Sequence, residues 1–174
     1  MKENFTWKRA VVALASFVLL ILFDQWTKSL AVAHLMNQEP LVLADGVFQL
    51  RYLENRGAAF GMMQGKQTFF ILSATIAVLA IAYVYFKLPW QKRFHGLRTV
   101  GLFIAAGAVG NLIDRLMLGY VVDFFYFELI DFPIFNVADI YVTCATIMLA
   151  ILILFYYKEE ELDCIFPSKK EKKV

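Results

Sequence analysis

Two aspartates, Asp123 and Asp139, stand on either side of a short connection in a chain that is otherwise mostly apolar. Asp123 lies between two valines and two phenylalanines, and Asp139 ends the run Phe135-Asn136-Val137-Ala138-Asp139. Carboxylates are costly beside hydrocarbon, so acids in such places usually serve a function. Two carboxylates within reach of each other share a proton, and a pair of this kind can activate water, as in aspartic proteases.

The composition is typical of an integral membrane protein. Of the 174 residues, 60% are hydrophobic and 18% are charged, whereas a soluble domain is about half apolar and about a quarter charged. The net charge of +2 comes without a basic stripe that interleaves aromatic residues, so the sequence does not predict nucleic-acid binding. The length fits one membrane domain that covers residues 1–174.

The cysteines and histidines do not group into a metal site. Cys144 falls in an apolar run and Cys164 in a charged tail, while His34 and His95 stand alone. The sequence has no Cys-x-x-Cys pair and no Cys/His cluster, so we predict neither a bound metal nor a disulfide.

Four apolar segments are long enough to cross a bilayer, which takes roughly 20 residues. The predicted spans cover residues 10–35, 68–87, 98–118 and 137–157. Between and after them lie two predicted outer loops, at residues 36–67 and 119–136, and a cytoplasmic tail at residues 158–174. We therefore predict an all-α membrane protein of four transmembrane helices.

Basic residues predict the orientation of these helices. Lysines and arginines precede the first span, crowd the second connection and follow the fourth span, whereas residues 119–138 contain none. The positive-inside rule then places both termini in the cytoplasm and the two long loops outside. The N-terminus also resembles a signal peptide, but Asp24, Gln25 and Lys28 separate its apolar core from a cleavage-like Ala31-Val32-Ala33. We interpret it as a retained first span.

The outer loops carry patterns of their own. Leu41–Leu43 and Val47–Leu53 are rich in strand-forming residues and flank the turn signal Asp45-Gly46, which predicts a small extracytoplasmic β element. The aromatic and apolar segment Phe124–Ile130 predicts a short helix lying in the membrane interface.

Helix geometry brings several polar residues to one depth. At a rise of 1.5 Å per residue, Asp24 lies roughly 22 Å along the first span from Arg9, near the outer face of the bilayer. The same argument applies to the end of the third span and the start of the fourth. The residues that gather there are Asp24, Asn111, Asp114, Asp123, Asn136 and Asp139.

Structural roles compete with this functional reading. Asp24 and Lys28 are four residues apart and could simply pair on one helix face. Asp114 could pair with the adjacent Arg115. For the fourth span, Asn136 is a plausible N-cap, with Asp139 three residues later in the position of a capping box.

The sequence leaves the partner of Asp139 open. Asp114 and Asp123 are nine residues apart, so in one straight helix they would face opposite directions. Both can serve one site only if the helix breaks between them, for instance at Gly119. Either Asp114 or Asp123 could therefore pair with Asp139.

Five motifs in this order resemble those of the lipoprotein signal peptidases, also called signal peptidase II. The motifs are Asp24-Gln25-Trp26-Thr27-Lys28, Glu54-Asn55-Arg56-Gly57-Ala58-Ala59-Phe60, Gly110-Asn111-Leu112-Ile113-Asp114-Arg115, Val121-Val122-Asp123-Phe124 and Phe135-Asn136-Val137-Ala138-Asp139. The resemblance implies that Asp123 and Asp139 are the catalytic pair. It implies supporting roles for Asp24, Lys28, Asn55, Gly57, Asn111, Asp114, Arg115 and Asn136.

The resemblance also implies an activity and a location. Members of the family are aspartic peptidases of the bacterial cytoplasmic membrane that need no metal or organic cofactor. Their substrates are diacylglyceryl-modified prolipoproteins, cleaved just before the lipidated cysteine. We therefore expect a monomer that contacts membrane lipid, with its active site near the outer face.

Two other classes of protein also carry acids in apolar segments. A proton-coupled transporter uses them as a relay, but such transporters tend to show repeated halves and midplane sites. This chain has no internal repeat. A non-catalytic scaffold would tolerate asparagine in place of both Asp123 and Asp139.

Overall fold

The computed structural model describes residues 7–57, 65–163 and 165. Four long helices carry most of the chain: α1 (Trp7–Leu35), α2 (Gln67–Lys87), α3 (His95–Met117) and α4 (Val137–Ile151). Three strands lie between them: β1 (Leu41–Ala44), β2 (Phe48–Asn55) and β3 (Val121–Tyr126). Short elements are 3₁₀ turns at Lys92–Phe94 and Glu128–Ile130, a π-helical continuation of α4 at Leu152–Tyr156, and α5 (Glu159–Leu162). The predictions for Ala58, Ala59, Phe60 and Cys164 fall outside the described residues.

The four predicted apolar helices are present. Within the described residues, α1, α2, α3 with its preceding 3₁₀ turn, and α4 with its π-helical end are each long and apolar enough to cross a membrane. The helices form because each is a long, mostly apolar segment without proline, and helical geometry satisfies the backbone hydrogen bonds that lipid cannot. Helix α3 ends at Met117, and Gly119 then adopts a φ of +79°, a conformation that glycine adopts readily. The chain therefore breaks between Asp114 and Asp123.

The β element is larger than the sequence predicted. β1 and β2 form the expected hairpin around Asp45-Gly46, and β3 pairs antiparallel with β2 to give a three-stranded sheet in the order β1-β2-β3. The prediction of an interfacial helix over Phe124–Ile130 is wrong for its first half, since Phe124, Phe125 and Tyr126 belong to β3. Aromatic and β-branched side chains fit a pleated sheet, and a 3₁₀ turn at Glu128–Ile130 is the only helical part of this segment.

Strand alternation decides where Asp123 points. Val122 and Phe124 pack into a core with Ala31 and Leu35 of α1 and Val137 of α4. Successive side chains of a strand point to opposite faces. Asp123, between Val122 and Phe124, is therefore directed away from that core.

Helix α3 packs closely against the start of α4 through glycines. A methyl group added at Gly107 would lie 2.5 Å from the Ala138 carbonyl oxygen and 2.8 Å from Cγ2 of Val142. One added at Gly110 would lie 2.5 Å from Oδ2 of Asp24. Small residues at these two positions thus set the spacing between α1, α3 and α4, and with it the position of Asp139.

We expect Gly107→Ala to destabilise the protein by about 1–3 kcal/mol, the usual cost of overpacking a tight contact. The matched control is Gly101→Ala in the same helix, whose added methyl would meet only Cγ2 of Ile81, at 3.3 Å. Thermal unfolding in detergent compares the two variants. Equal melting temperatures would contradict a close α3–α4 contact at Gly107.

Candidate active site

Asp123 and Asp139 line one cavity of about 510 Å³. Its lining includes Asn55 at the end of β2, Gly57 just after it, Phe70 of α2, Arg115 of α3 and Ile140 of α4, so the cavity opens between the sheet and three helices. Most of the wall is apolar, with a few polar groups that converge. This combination is typical of ligand sites, which span about 300–1,000 Å³.

Asp123 is held by two amide donors. Its side chain is only 1% exposed, and Asn55 donates Nδ2–H to Oδ2 at 2.8 Å while Asn136 donates Nδ2–H to Oδ1 at 2.6 Å. Asn55 is two residues from Leu53, the β2 partner of Asp123 on the antiparallel ladder, so the Asn55 and Asp123 side chains lie diagonally on one face. Burial, followed by the negative charge of Asp139, raises the pKa of Asp123 to about 7 despite both donors.

Asp139 is held by the first turn of α4. Asn136 is the N-cap, accepting a hydrogen bond from the Asp139 N–H at 3.0 Å, and Oδ2 of Asp139 accepts the Asn136 N–H at 3.1 Å. This is the predicted capping box. Oδ1 of Asp139 accepts a third hydrogen bond from Nδ2 of Asn111, at 2.8 Å.

Asn136 connects the two carboxylates. Its side-chain nitrogen donates to the Asp123 carboxylate and its backbone N–H donates to the Asp139 carboxylate, so this one residue contacts both. Among the described residues we find no direct hydrogen bond between Asp123 and Asp139. Asn136 is fully buried, which fixes this bridge within the protein interior.

A lysine sets the orientation of Asn111. Lys28 donates to Oδ1 of Asn111 at 2.9 Å, and Asn136 Nδ2 donates to the same oxygen at 3.0 Å. An ammonium group has only donors, so the amide oxygen must face Lys28. The amide nitrogen of Asn111 is thereby directed at Asp139.

Below the cavity lies a buried ionic triad of Asp24, Lys28 and Asp114. The lysine nitrogen is 2.9 Å from Oδ2 of Asp24 and 3.0 Å from Oδ2 of Asp114. The three residues are at most 3% exposed. Gln25 joins the triad by donating Nε2–H to Oδ1 of Asp114 at 2.9 Å and to the Gly110 carbonyl at 3.1 Å.

The two acids of the triad also hold the backbone beside the candidate catalytic acids. Oδ1 of Asp24 accepts the N–H of Ala138, the residue before Asp139, at 2.9 Å. Oδ2 of Asp114 accepts the N–H of Val122, the residue before Asp123, at 3.1 Å. Each supporting acid therefore positions one acid of the cavity.

These contacts answer the structural alternatives that the sequence left open. The Asp24–Lys28 pair exists, and the N-cap at Asn136 exists. Within the described residues, Asp114 pairs with Lys28 rather than with Arg115. Asp114 also does not line the cavity, whereas Asp123 does. Sequence reasoning did not select Gln25 as a site residue, although a lone amide beside Asp24 in an apolar helix was a usable signal.

Arg115 contributes a cation to the same cavity. Its guanidinium carbon lies 4.9 Å from the Phe70 ring centroid. It approaches the carbonyl oxygens of Asn111 and Gly57 only at 3.5 Å, the outer limit of a hydrogen bond. Gly57 also donates its N–H to Oδ1 of Asn55 at 3.0 Å, which directs the Asn55 amide nitrogen to Asp123.

No group of three histidine, cysteine, aspartate or glutamate side chains converges as a metal site within residues 7–57 and 65–163. The expectation of a metal-free and cofactor-free site stays a prediction.

Comparisons with known proteins agree on one family. A family model described as signal peptidase (SPase) II matches residues 16–155. The chain is 40% identical over 152 residues to the lipoprotein signal peptidase of Streptococcus thermophilus (strain CNRZ 1066), covering 87% of this chain and 96% of that protein. It is 41% identical over 140 residues to the lipoprotein signal peptidase of Clostridioides difficile (strain 630), covering 80% and 92%.

Two solved structures share the fold. Both are described as bacterial membrane enzymes solved by the in meso method. One superposes with a TM-score of 0.71 at 28% identity and covers 99% of both chains. The other gives a TM-score of 0.73 at 30% identity and covers 90% of this chain and 99% of its own.

We expect Lys28→Met to cost about 3–5 kcal/mol of stability, because it leaves the carboxylates of Asp24 and Asp114 buried without a cation. The matched control is Lys92→Met, which removes an exposed lysine. Unfolding in mixed micelles measures both free energies. In the triple variant Asp24→Asn/Lys28→Met/Asp114→Asn, much of the loss should be recovered. A Lys28→Met protein as stable as the control would contradict the triad's role.

Proposed function

This chain belongs to the signal peptidase II family, and from that premise we propose that it is an aspartic endopeptidase whose catalytic pair is Asp123 and Asp139. It removes the signal peptide from diacylglyceryl-modified prolipoproteins and cleaves just before the lipidated cysteine. One observation carries the proposal: both carboxylates line one largely apolar cavity and accept hydrogen bonds from the buried Asn136, Asp123 from the side-chain Nδ2–H and Asp139 from the backbone N–H. Membership of a peptidase family favours this function over the transporter and scaffold alternatives.

The protonation of the pair supports a division of labour. The raised pKa of Asp123, about 7, leaves a large fraction of its carboxyl protonated near neutral pH. Asp123 then donates a hydrogen bond to the scissile carbonyl, while ionised Asp139 takes a proton from the attacking water. The water oxygen bonds to the carbonyl carbon. As the tetrahedral intermediate collapses, the C–N bond breaks and the leaving nitrogen takes a proton from a carboxyl of the pair.

The remaining cavity groups support binding and charge stabilisation. Arg115 has donor nitrogens on the cavity wall and only long contacts to protein carbonyls, so it can reorient toward a peptide oxygen. A cation there stabilises the negative charge that develops on the carbonyl oxygen. Asn55 and Asn111 each donate to one acid of the pair and hold it in position for the reaction.

The membrane supplies the rest of the substrate site. The apolar wall that includes Phe70 and Ile140 lets the diacylglyceryl chains remain in hydrocarbon while the peptide enters the cavity. We propose the orientation that the charge pattern predicts, with cytoplasmic termini and the cavity near the outer face. The sheet and the turn at Glu128–Ile130 would then lie over the peptide. The active unit is proposed to be a monomer.

We expect Asp123→Asn and Asp139→Asn each to abolish cleavage of a lipid-modified precursor, because an amide can neither take nor supply the required proton. The measurement is a gel-shift assay with purified protein, with and without the diacylglyceryl group on the substrate. Asp131→Asn is the matched control, since Asp131 is an exposed acid of the same outer segment. Cleavage that persists in a folded Asp123→Asn protein would contradict the assignment of Asp123 to the catalytic pair.

The pH profile offers a separate test. Activity requires the proton on Asp123, so kcat/KM should fall about tenfold per pH unit above about pH 7. Asn55→Leu removes a donor that favours the ionised form, so the pKa of Asp123 should rise and the fall should move about one unit to higher pH.

The matched control for that profile is Gln38→Leu, which replaces an exposed amide with the same side chain. Its profile should coincide with that of the wild type. If the profile of Asn55→Leu also coincides, or moves to lower pH, the assignment of the proton to Asp123 fails.

A further inference from the structure

A second groove lies between α1 and α3, with a volume of about 790 Å³. It shares no lining residue with the cavity that contains Asp123 and Asp139. One end, which we call the basic end, is lined by Lys8, Arg9, His95 and Arg98. From there the groove runs between apolar side chains to Phe23 and Tyr141.

We propose that this groove binds one anionic phospholipid, with its phosphate at the basic end and an acyl chain along the apolar walls. The proposal goes beyond the peptidase function and does not depend on it. Basic pockets between transmembrane helices are a recurrent way of holding anionic headgroups.

The burial and incomplete hydrogen bonding of Arg98 are the strongest evidence for an anion at the basic end. This arginine is only 6% exposed, and its Nη2 donates to the carbonyl oxygens of Leu88 at 2.7 Å and Pro89 at 3.0 Å. Its guanidinium carbon lies 4.0 Å from the Trp90 ring centroid. Nε and Nη1 are buried, and neither donates a hydrogen bond to any residue that the structure describes.

A buried cation in this state calls for a negative partner. Among the described ion pairs, none joins a carboxylate to Arg98. Leaving a buried charge without a counter-charge is costly, whereas a phosphate both balances the charge and accepts the two remaining hydrogen bonds. Guanidinium groups match phosphate geometry particularly well.

The shape of the groove favours a lipid over a free anion. Lys8 and Phe23 are fifteen residues apart on α1, so the apolar walls extend roughly 22 Å from the basic end. Four basic or titratable side chains at one end exceed what a zwitterionic headgroup can balance. The positive-inside rule further predicts that this end faces the cytoplasmic leaflet, whose surface carries anionic lipid.

The lipid would complete the contact between α1 and α3. Near the cavity, Gln25 and Lys28 of α1 join α3 directly through hydrogen bonds and ion pairs. Toward the basic end, the groove separates the same two helices. A bound acyl chain fills that gap and ties the helices together along their length.

Native mass spectrometry of the purified protein in detergent tests the proposal. The probes are phosphatidylglycerol and phosphatidylcholine with identical acyl chains. We expect one tightly bound phosphatidylglycerol per protein, at least about tenfold tighter than phosphatidylcholine. Arg98→Gln and Lys8→Gln should each weaken phosphatidylglycerol binding by about fivefold or more, the typical effect of one basic residue near an anionic surface.

The matched control is Lys92→Gln, which removes an exposed lysine that does not line the groove. Its affinity should equal that of the wild type. Arg98→Gln removes two hydrogen bonds to backbone carbonyls and can fail to fold, but Lys8 is exposed, so Lys8→Gln keeps the test decisive.

Three results would overturn the proposal. Equal phosphatidylglycerol binding by Lys8→Gln and Lys92→Gln would place the headgroup elsewhere. Equal affinity for phosphatidylcholine would leave an apolar groove without headgroup recognition. Full displacement of the lipid by millimolar inorganic phosphate would indicate a simple anion site.

Discussion

The ion triad of Lys28 with Asp24 and Asp114 is the interaction on which the rest of this site depends. One cation pairs with two carboxylates that are almost fully buried, and each carboxylate uses a second oxygen or lone pair to accept a backbone N–H. Those two N–H groups immediately precede Asp139 and Asp123. A buried ion pair is weak evidence for net stability. Here the triad serves to position the site, because it joins α1, α3, α4 and β3 at one point.

Asparagine side chains connect the triad to Asp139 and Asp123 and hold the two carboxylates in place. Lys28 orients Asn111, Asn111 and the capping box hold Asp139, and Asn136 spans to Asp123. All four carboxylate oxygens accept a hydrogen bond, so neither acid can rotate freely. The cost of burying Asp123 beside a second carboxylate nevertheless outweighs its two donors, and the pKa of Asp123 rises to about 7. Donors fix the geometry, while burial and charge set the protonation.

Much of this could be predicted from the sequence because the strongest signals were local. Apolar runs predicted four helices, and the Asn136–Asp139 spacing predicted a capping box that the structure contains. What escaped prediction depends on distant contacts. Phe124–Ile130 resembled an interfacial helix because the partner of β3 lies some seventy residues earlier, at Gln49–Asn55. The partner of Asp114 was likewise ambiguous, since Lys28 approaches it only after α1 and α3 pack together.

The charged side chains at the two ends of helix α3 differ in where they find their partners. Near its C-terminal end, Asn111 and Asp114 find their partners within the protein, and the triad supplies both signs of charge. Its basic end carries the buried Arg98, which has backbone carbonyls and an aromatic face but no described carboxylate beside it. Glycine at positions 107 and 110 draws α3 against α4, whereas a groove stays open between α3 and α1. The end that holds the proposed catalytic acids can thus be rigid by itself, while the proposed lipid completes the opposite end.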